Sequence, residues 1–125
     1  LEFYLYNGNW WLKALGKWVG YYPGSLFRGG RLAAGSDRVD FGVETNTTGR
    51  TWPAAGSGYW SRSGFQRAAY LRNPFFRNTA GQVSIPSLVK DDPNPACYNS
   101  SAPSTGSDPN WRIWFYAGGP GGPGC

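Results

Sequence analysis

The sequence predicts an all-β fold, an antiparallel β-sandwich or jelly-roll-like domain of short strands and long loops. Aromatic residues make up 18% of the 125 positions and charged residues only 15%, a balance that favours strands. The 19 glycines and 10 prolines disfavour long helices and supply tight turns. Six aromatic residues within residues 7–27 are separated by turn signals, of which Asn7-Gly8 is the strongest. The length fits a single domain over residues 1–125.

The N-terminal third is predicted to form a three-stranded meander. Strands are expected over residues 1–6, 10–15 and 18–22, with hairpin turns at Asn7-Gly8 and Gly16-Lys17. Pro23-Gly24 ends the meander, and residues 25–34 have room for a short helical turn that Gly29-Gly30 would end.

Residues 38–45 alternate with a period of two, which predicts a half-buried strand. Val39, Phe41 and Val43 would share one face of this strand. Asp40 and Glu44 would lie on the other face, together with Arg38 and Gly42.

The remaining elements are predicted from alternation and from turn chemistry. In chain order they are a long loop over 46–64, a strand over 65–76, a weaker strand over 83–89, a polar loop over 91–110, a last strand over 111–116 and a Gly/Pro tail over 118–124. Pro86 suits an edge position for the weaker strand. The last strand leaves two alternatives open: one buries Trp111, Ile113 and Phe115, the other Trp114 and Tyr116.

The residue types exclude several kinds of site. The chain has no histidine, which rules out a Ser-His-Asp triad, a Cys-His dyad and a His-ligated metal, and we predict no metal and no cofactor. The net charge is +5, but the basic residues are scattered rather than gathered into a stripe. We therefore predict no nucleic-acid partner. No transmembrane run is present in the sequence, and no membrane partner is predicted.

The two cysteines, Cys97 and Cys125, lie far apart in polar loop sequence. A disulfide between them would close about 29 residues and stabilise the fold by on the order of 3–4 kcal/mol; two free thiols are the alternative. Asn46 and Asn99 each begin an N-glycosylation pattern. Together these features predict a secreted protein, either processed or part of a longer gene product.

Among the seven acidic residues, Glu44 is the candidate for chemistry. Asp40 shares its predicted strand face, but four residues of strand place the two roughly 13 Å apart, at about 3.3 Å per residue, too far for a paired dyad. Glu44 ends an aromatic-rich strand and comes just before the long loop. A carboxylate held there can serve as a general acid or base; the alternative is an ordinary surface residue of the strand.

Several short segments resemble the neprosin family of glutamic peptidases, in the same order and spacing. The resembling segments are Gly8-Asn9-Trp10-Trp11-Leu12, Val19-Gly20-Tyr21-Tyr22-Pro23 with Ser25-Leu26-Phe27, Phe41-Gly42-Val43-Glu44, Gly56-Ser57-Gly58 with Gly64-Phe65, Ala68-Ala69-Tyr70-Leu71-Arg72-Asn73, Cys97-Tyr98, and Phe115-Tyr116-Ala117-Gly118-Gly119-Pro120-Gly121. They cover most of the chain and resemble the C-terminal half of the family's domain. Val43 replaces the second glycine of the family's Trp-Gly-Gly-Glu, and Tyr59-Trp60 follows the Gly-Ser-Gly element.

The resemblance implies a secreted β-sandwich endopeptidase that cleaves proline-containing peptides after proline at acidic pH. Two glutamates would activate water and polarise the scissile amide. Glu44 matches one of them, and the second is expected in a preceding half. Trp10, Tyr22, Ser57 and Tyr59 are predicted to contact substrate. The expected partners are a peptide or protein substrate and either the missing N-terminal half or another copy of the chain.

The alternative hypothesis is a non-enzymatic module. Exposed tryptophan and tyrosine rings can stack on sugars, so a β-sandwich of this composition also suits glycan binding or self-assembly into an extracellular structure.

Overall fold

The computed structural model describes residues 1–78 and 80–125. It divides the chain into two compact units, Leu1–Val39 and Asp40–Cys125. Every strand pair in the described residues is antiparallel, and the helical segments are single 3₁₀ turns. The predicted all-β class is thus confirmed. Within the described ranges, no helix has the length and apolar character needed to cross a membrane.

The first unit is the predicted meander. Its strands are β1 (Glu2–Tyr6), β2 (Asn9–Ala14) and β3 (Lys17–Pro23), in the order β1-β2-β3. The first turn has positive φ at both Asn7 (48°) and Gly8 (71°), as a type I′ hairpin requires.

The second turn of the meander differs from the prediction by one residue. Ala14 pairs with Lys17, so the loop residues are Leu15 and Gly16 rather than Gly16 and Lys17. Leu15 takes φ 49° and Gly16 φ 79°. Pairing of the flanking strands therefore imposes a left-handed conformation on a leucine, which ordinarily avoids it.

Two 3₁₀ turns follow β3, at Gly24–Phe27 and Arg31–Ala33. Arg28 ends the first one with φ 46°, one residue before the predicted Gly29-Gly30 stop. The second turn is held to the sheet by the indole N–H of Trp10, which donates to the carbonyl oxygen of Leu32 at 2.6 Å.

Residues 38–45 do not form the predicted strand. Exposure does alternate, with Phe41 and Val43 half-buried and Gly42 and Glu44 exposed. The described residues provide no neighbouring strand for this segment. The period of two therefore reflects alternating exposure along an extended chain. Backbone hydrogen bonding to a neighbouring strand, which defines a β-strand, is not seen for this segment among the described residues.

The described residues of the second unit form eight short strands. They are β4 (Thr51–Trp52), β5 (Ala69–Arg72), β6 (Phe76–Arg77), β7 (Val83–Ser84), β8 (Asn99–Ser100), β9 (Ser104–Thr105), β10 (Ile113–Gly118) and β11 (Gly122–Pro123). The central strand is β10, which pairs with β5, β8 and β9. β4 pairs with β11, and β6 pairs with β7. Each pair forms a separate two-stranded sheet.

The core lies on one face of β10. Ile113, Phe115 and Ala117 are buried, whereas Trp114 and Tyr116 are half-buried on the opposite face. Of the two alternatives for this strand, the first is observed for Ile113 and Phe115, whereas Trp111, which it also placed inward, is only half-buried. Ala55, Ala68 and Cys97 are also buried.

Two predicted strands are shorter in the structure. The strand expected over 65–76 is divided into β5 and β6, because Asn73 takes φ 48° between them and Pro74 follows. The strand expected over 83–89 is reduced to β7. It ends before Pro86, which has no N–H to contribute to a ladder.

The predicted disulfide Cys97–Cys125 is present, with the two Cα atoms 5.7 Å apart. Next to it, the side-chain amide of Asn94 donates to the carbonyl oxygen of Cys125 at 2.9 Å. The C-terminal tail is thereby tied to the loop that precedes β8.

Candidate functional site

Glu44 is exposed on an extended segment of the second unit. Within residues 1–78 and 80–125, its carboxylate has no hydrogen bond and no ion pair. It is therefore available to solvent and to a ligand. Because the segment belongs to no strand, the position of Glu44 depends on how its half-buried neighbour Val43 packs.

Val43 packs beside a glycine that has room for no side chain. A methyl group added at Gly56 would lie 2.7 Å from Cβ of Ala69, 3.2 Å from the carbonyl oxygen of Ala117 and 3.5 Å from Cγ1 of Val43. The φ of Gly56 is also positive, at 61°, which favours glycine. The loop at Gly56 thus packs against the core face of β5 and β10, and Val43 also packs against Gly56.

The other predicted residues of the second unit lie on this loop. Ser57 is exposed, and its hydroxyl donates to the carbonyl oxygen of Arg67 at 2.6 Å. Its oxygen keeps lone pairs that can accept a hydrogen bond. Tyr59 is half exposed. Its ring is consequently accessible for contact with a ligand.

Trp10 and Tyr22 lie in the first unit, directly opposite each other on β2 and β3. The indole N–H of Trp10 is already used in the bond to Leu32. The predicted site residues are thus divided, with Trp10 and Tyr22 in one unit and Glu44, Ser57 and Tyr59 in the other.

The C-terminal tail holds the loop that carries Ser57 and Tyr59. Ala55 and Gly119 exchange backbone hydrogen bonds of 2.9 and 3.4 Å. A methyl group at Gly118 would lie 2.7 Å from the carbonyl oxygen of Tyr59. The phenolic hydroxyl of Tyr98 donates to the carbonyl oxygen of Pro53 at 2.7 Å. The loop that carries Ser57 and Tyr59 is therefore held by Gly118 and Gly119 of the tail and by Tyr98, the residue after the disulfide cysteine Cys97.

Asp92, predicted to be a turn former, makes a local hydrogen-bond network. It accepts from the backbone N–H of Ser100 at 3.0 Å and from its hydroxyl at 2.6 Å, and it pairs with Lys90 at 3.0 Å. Burial by itself would raise the pKa of Asp92, but the two Ser100 hydrogen bonds and Lys90 outweigh it and lower the pKa below its ordinary value. The ionised Asp92 side chain thus holds Ser100, the last residue of β8.

The two glycosylation candidates differ in access. Asn46 is exposed. Asn99 is half-buried, and its side-chain oxygen accepts a hydrogen bond from the backbone N–H of Ser61 at 3.1 Å. Asn46 is therefore the more accessible of the two.

The second unit also carries an aromatic groove that was not predicted from the sequence. The groove has a volume of about 260 Å³ and is lined by Phe65, Trp111, Trp114 and Tyr116. Its signal in the sequence is the pair Trp114 and Tyr116 at alternate positions of the last strand, a pattern that also fits the alternative core face. Among the described residues, no group of three or more His, Cys, Asp or Glu side chains could hold a metal ion.

No solved structure matches this chain. Among curated proteins, the Smad-related protein daf-14 of Caenorhabditis elegans is 36% identical to it over 88 residues, which is 70% of this chain. The chain spans only 24% of that protein's length, so the similarity concerns a limited part of daf-14.

The family comparison covers nearly the whole sequence. The pattern of the family described as Neprosin matches residues 2–120. That range includes most of both units, the extended segment with Glu44 and the loop with Ser57. The chain belongs to the Neprosin family.

Proposed function

We propose that this chain is part of a secreted glutamic endopeptidase that cleaves peptides after proline, with Glu44 as one of two catalytic glutamates. The family match over residues 2–120 carries the proposal. It is supported by the exposure of Glu44 and by the packing of its neighbour Val43 beside the closed loop at Gly56.

The chemistry requires a carboxylate that takes a proton from water while a second group stabilises charge on the scissile carbonyl. Water then adds to the carbonyl carbon, and the amide nitrogen leaves after accepting a proton. An exposed carboxylate without protein partners can accept the proton of a bound water. In this proposal Glu44 is that base, and Ser57 and Tyr59 contact the peptide.

The second glutamate is proposed to come from a preceding segment or from another copy of the chain. The only other glutamate here is Glu2, which lies on β1 opposite Lys13 in the first unit. The opposite charges of Glu2 and Lys13 suit a pair on the exposed face of a surface strand. Glu2 is therefore the natural control for any test of Glu44.

The test is hydrolysis of a peptide with a single internal proline, measured between pH 3 and 7 with the full-length gene product that contains this chain. Glu44→Gln should lower kcat/KM by about 10²-fold or more, the contribution typical of a positioned general base. Glu2→Gln should leave kcat/KM unchanged. Retained activity in Glu44→Gln, or equal losses in both variants, would remove Glu44 from the mechanism.

Secretion and glycosylation belong to the same proposal. The disulfide supports an oxidising compartment. Expression in a secreting eukaryotic host should give protein whose mass falls on treatment with an N-glycosidase, and Asn46→Gln should remove that change.

A further inference from the structure

The aromatic groove lies on the face of the β5–β10 pair that points away from the core. Tyr70 is opposite Tyr116, and Arg72 is opposite Trp114. Ala69 and Ala117, one residue along each strand, are also opposite each other and meet the loop at Gly56. Because successive side chains of a strand point to opposite faces, the groove and the Gly56 loop lie on opposite faces of this sheet.

The groove presents aromatic rings in more than one orientation. Trp111 is the centre, 5.1 Å from Tyr70 with the planes at 32°, and 5.7 Å from Trp114 with the planes at 89°. Phe65 stands at 83° to Trp111. The Phe65 and Tyr70 side chains remain 54% and 43% exposed. Such rings offer flat apolar surface to a ligand that has apolar C–H faces.

One cation accompanies these rings. The guanidinium of Arg72 lies over Trp111, 5.4 Å from the ring centroid. In residues 1–78 and 80–125 its protein partners are this ring and the carbonyl oxygen of Asn110 at 3.5 Å, and no carboxylate pairs with it. A guanidinium held by a ring keeps donors that match a carboxylate in a two-bond geometry.

We propose that this groove binds an acidic oligosaccharide, with the C–H faces of a uronic-acid ring against the aromatic rings and its carboxylate on Arg72. The site is separate from Glu44 and goes beyond the proposed peptidase activity. The volume of about 260 Å³ is smaller than that of a typical pocket for an enclosed small molecule, roughly 300–1,000 Å³. An open groove of that size suits one segment of a linear polymer.

The geometry favours a glycan over single-stranded nucleic acid. Single-strand binding uses rings on which successive bases stack along a basic groove. Here Trp111 and Trp114 are nearly perpendicular, and in the described part of the chain the cation seen over this cluster of rings is Arg72.

The test is isothermal titration of the full-length gene product that contains this chain, with a uronic-acid tetrasaccharide and with its neutral methyl ester. Saturable binding of the acid, at least about tenfold tighter than that of the ester, is the expected result, since losing one charge-assisted hydrogen bond costs about tenfold in affinity. Arg72→Gln should weaken binding of the acid about tenfold and remove the preference over the ester.

Two matched controls distinguish the groove from general effects. Arg62 also lies over a tryptophan, 5.7 Å from the Trp60 ring, and Arg62→Gln should leave affinity unchanged. Phe65→Ser should abolish binding, whereas Phe3→Ser, at a phenylalanine of similar exposure (56%) in the first unit, should not. Circular dichroism of each variant would show that it is folded.

The proposal is overturned if the acid gives no saturable heat, if the ester binds equally well, or if Arg62→Gln weakens binding as much as Arg72→Gln. Tighter binding of a single-stranded oligonucleotide or of an acidic peptide at the same residues would likewise overturn it, because the ligand class would be wrong.

Discussion

In the first unit every strand pairs with its neighbour in sequence, whereas in the second unit the central strand β10 pairs with β5, more than 40 residues earlier. The meander needs only two-residue turns. The strands that pair with β10 are joined to it by long segments of chain. These segments are held in place by a disulfide, by close packing at the tail glycines and by the Asp92 network. Local pairing needs few fixing contacts, and distant pairing needs many.

The largest expected effect comes from removing the disulfide. Cys97→Ser with Cys125→Ser, or reduction, should lower the free energy of unfolding of the second unit by about 3–4 kcal/mol, as expected for a closed loop of this length. Urea unfolding followed by amide hydrogen exchange would measure it. Protection should fall in β10 and stay unchanged in β2; equal losses in both would contradict the difference between the units.

Gly56→Ala should have the next largest effect, because the added methyl group meets Ala69 and the carbonyl of Ala117. The matched control is Gly64→Ala, since Gly64 has nearly the same φ, 67° against 61°, and nothing within 4 Å of an added methyl group. Both variants carry the backbone strain, so their difference isolates the crowding. We expect Gly56→Ala to be less stable than Gly64→Ala by about 1–3 kcal/mol; equal thermal unfolding would show that the loop does not close on β5.

The smallest effect concerns two carboxylates, one in each unit. Asp92→Asn should cost about 1–2 kcal/mol because it weakens bonds to a half-buried network. Asp37→Asn should cost about 0–1 kcal/mol, since Asp37 and its partner Arg31 are both mostly exposed (73% and 88%).

Asp92 also predicts a dependence of stability on pH. The folded pKa of Asp92 is lower than the unfolded one, ordinarily about 3.9. The stabilisation that Asp92 contributes to the free energy of unfolding is therefore complete above the unfolded pKa. It is lost as pH falls through the folded pKa. Asp92→Asn should flatten the decline in stability below about pH 4, measured by urea unfolding, and an unchanged slope would contradict this assignment.

The meander was predictable because its signals are local. Asn7-Gly8 identifies the turn, and the strands on either side of it follow from alternation. The one-residue error at Leu15 arose because strand pairing, which the turn residues do not encode alone, decided which two residues form the loop. The disulfide was predictable because the chain has only two cysteines.

The second unit was less predictable because its partners are distant. Alternation over 38–45 predicted the partial burial of Phe41 and Val43, but it was wrong for Val39, which is exposed, and it did not indicate that a pairing strand is lacking among the described residues. In β10 both faces carry aromatic residues, so periodicity left the core face undecided. In the structure Ile113 and Phe115 are buried, and the half-buried Trp114 and Tyr116 on the opposite face line the groove.

The position of Cys125 has a consequence for biosynthesis. Its disulfide partner Cys97 and the β4 strand that pairs with β11 are made earlier, yet neither can be completed until synthesis has passed the tail. The first unit can form its hairpins while the rest of the chain is still being translated. The second unit must wait, with the Cys97 thiol open to other reactants in the meantime. The disulfide can therefore form only once Cys125 has been made, and it requires an oxidising environment.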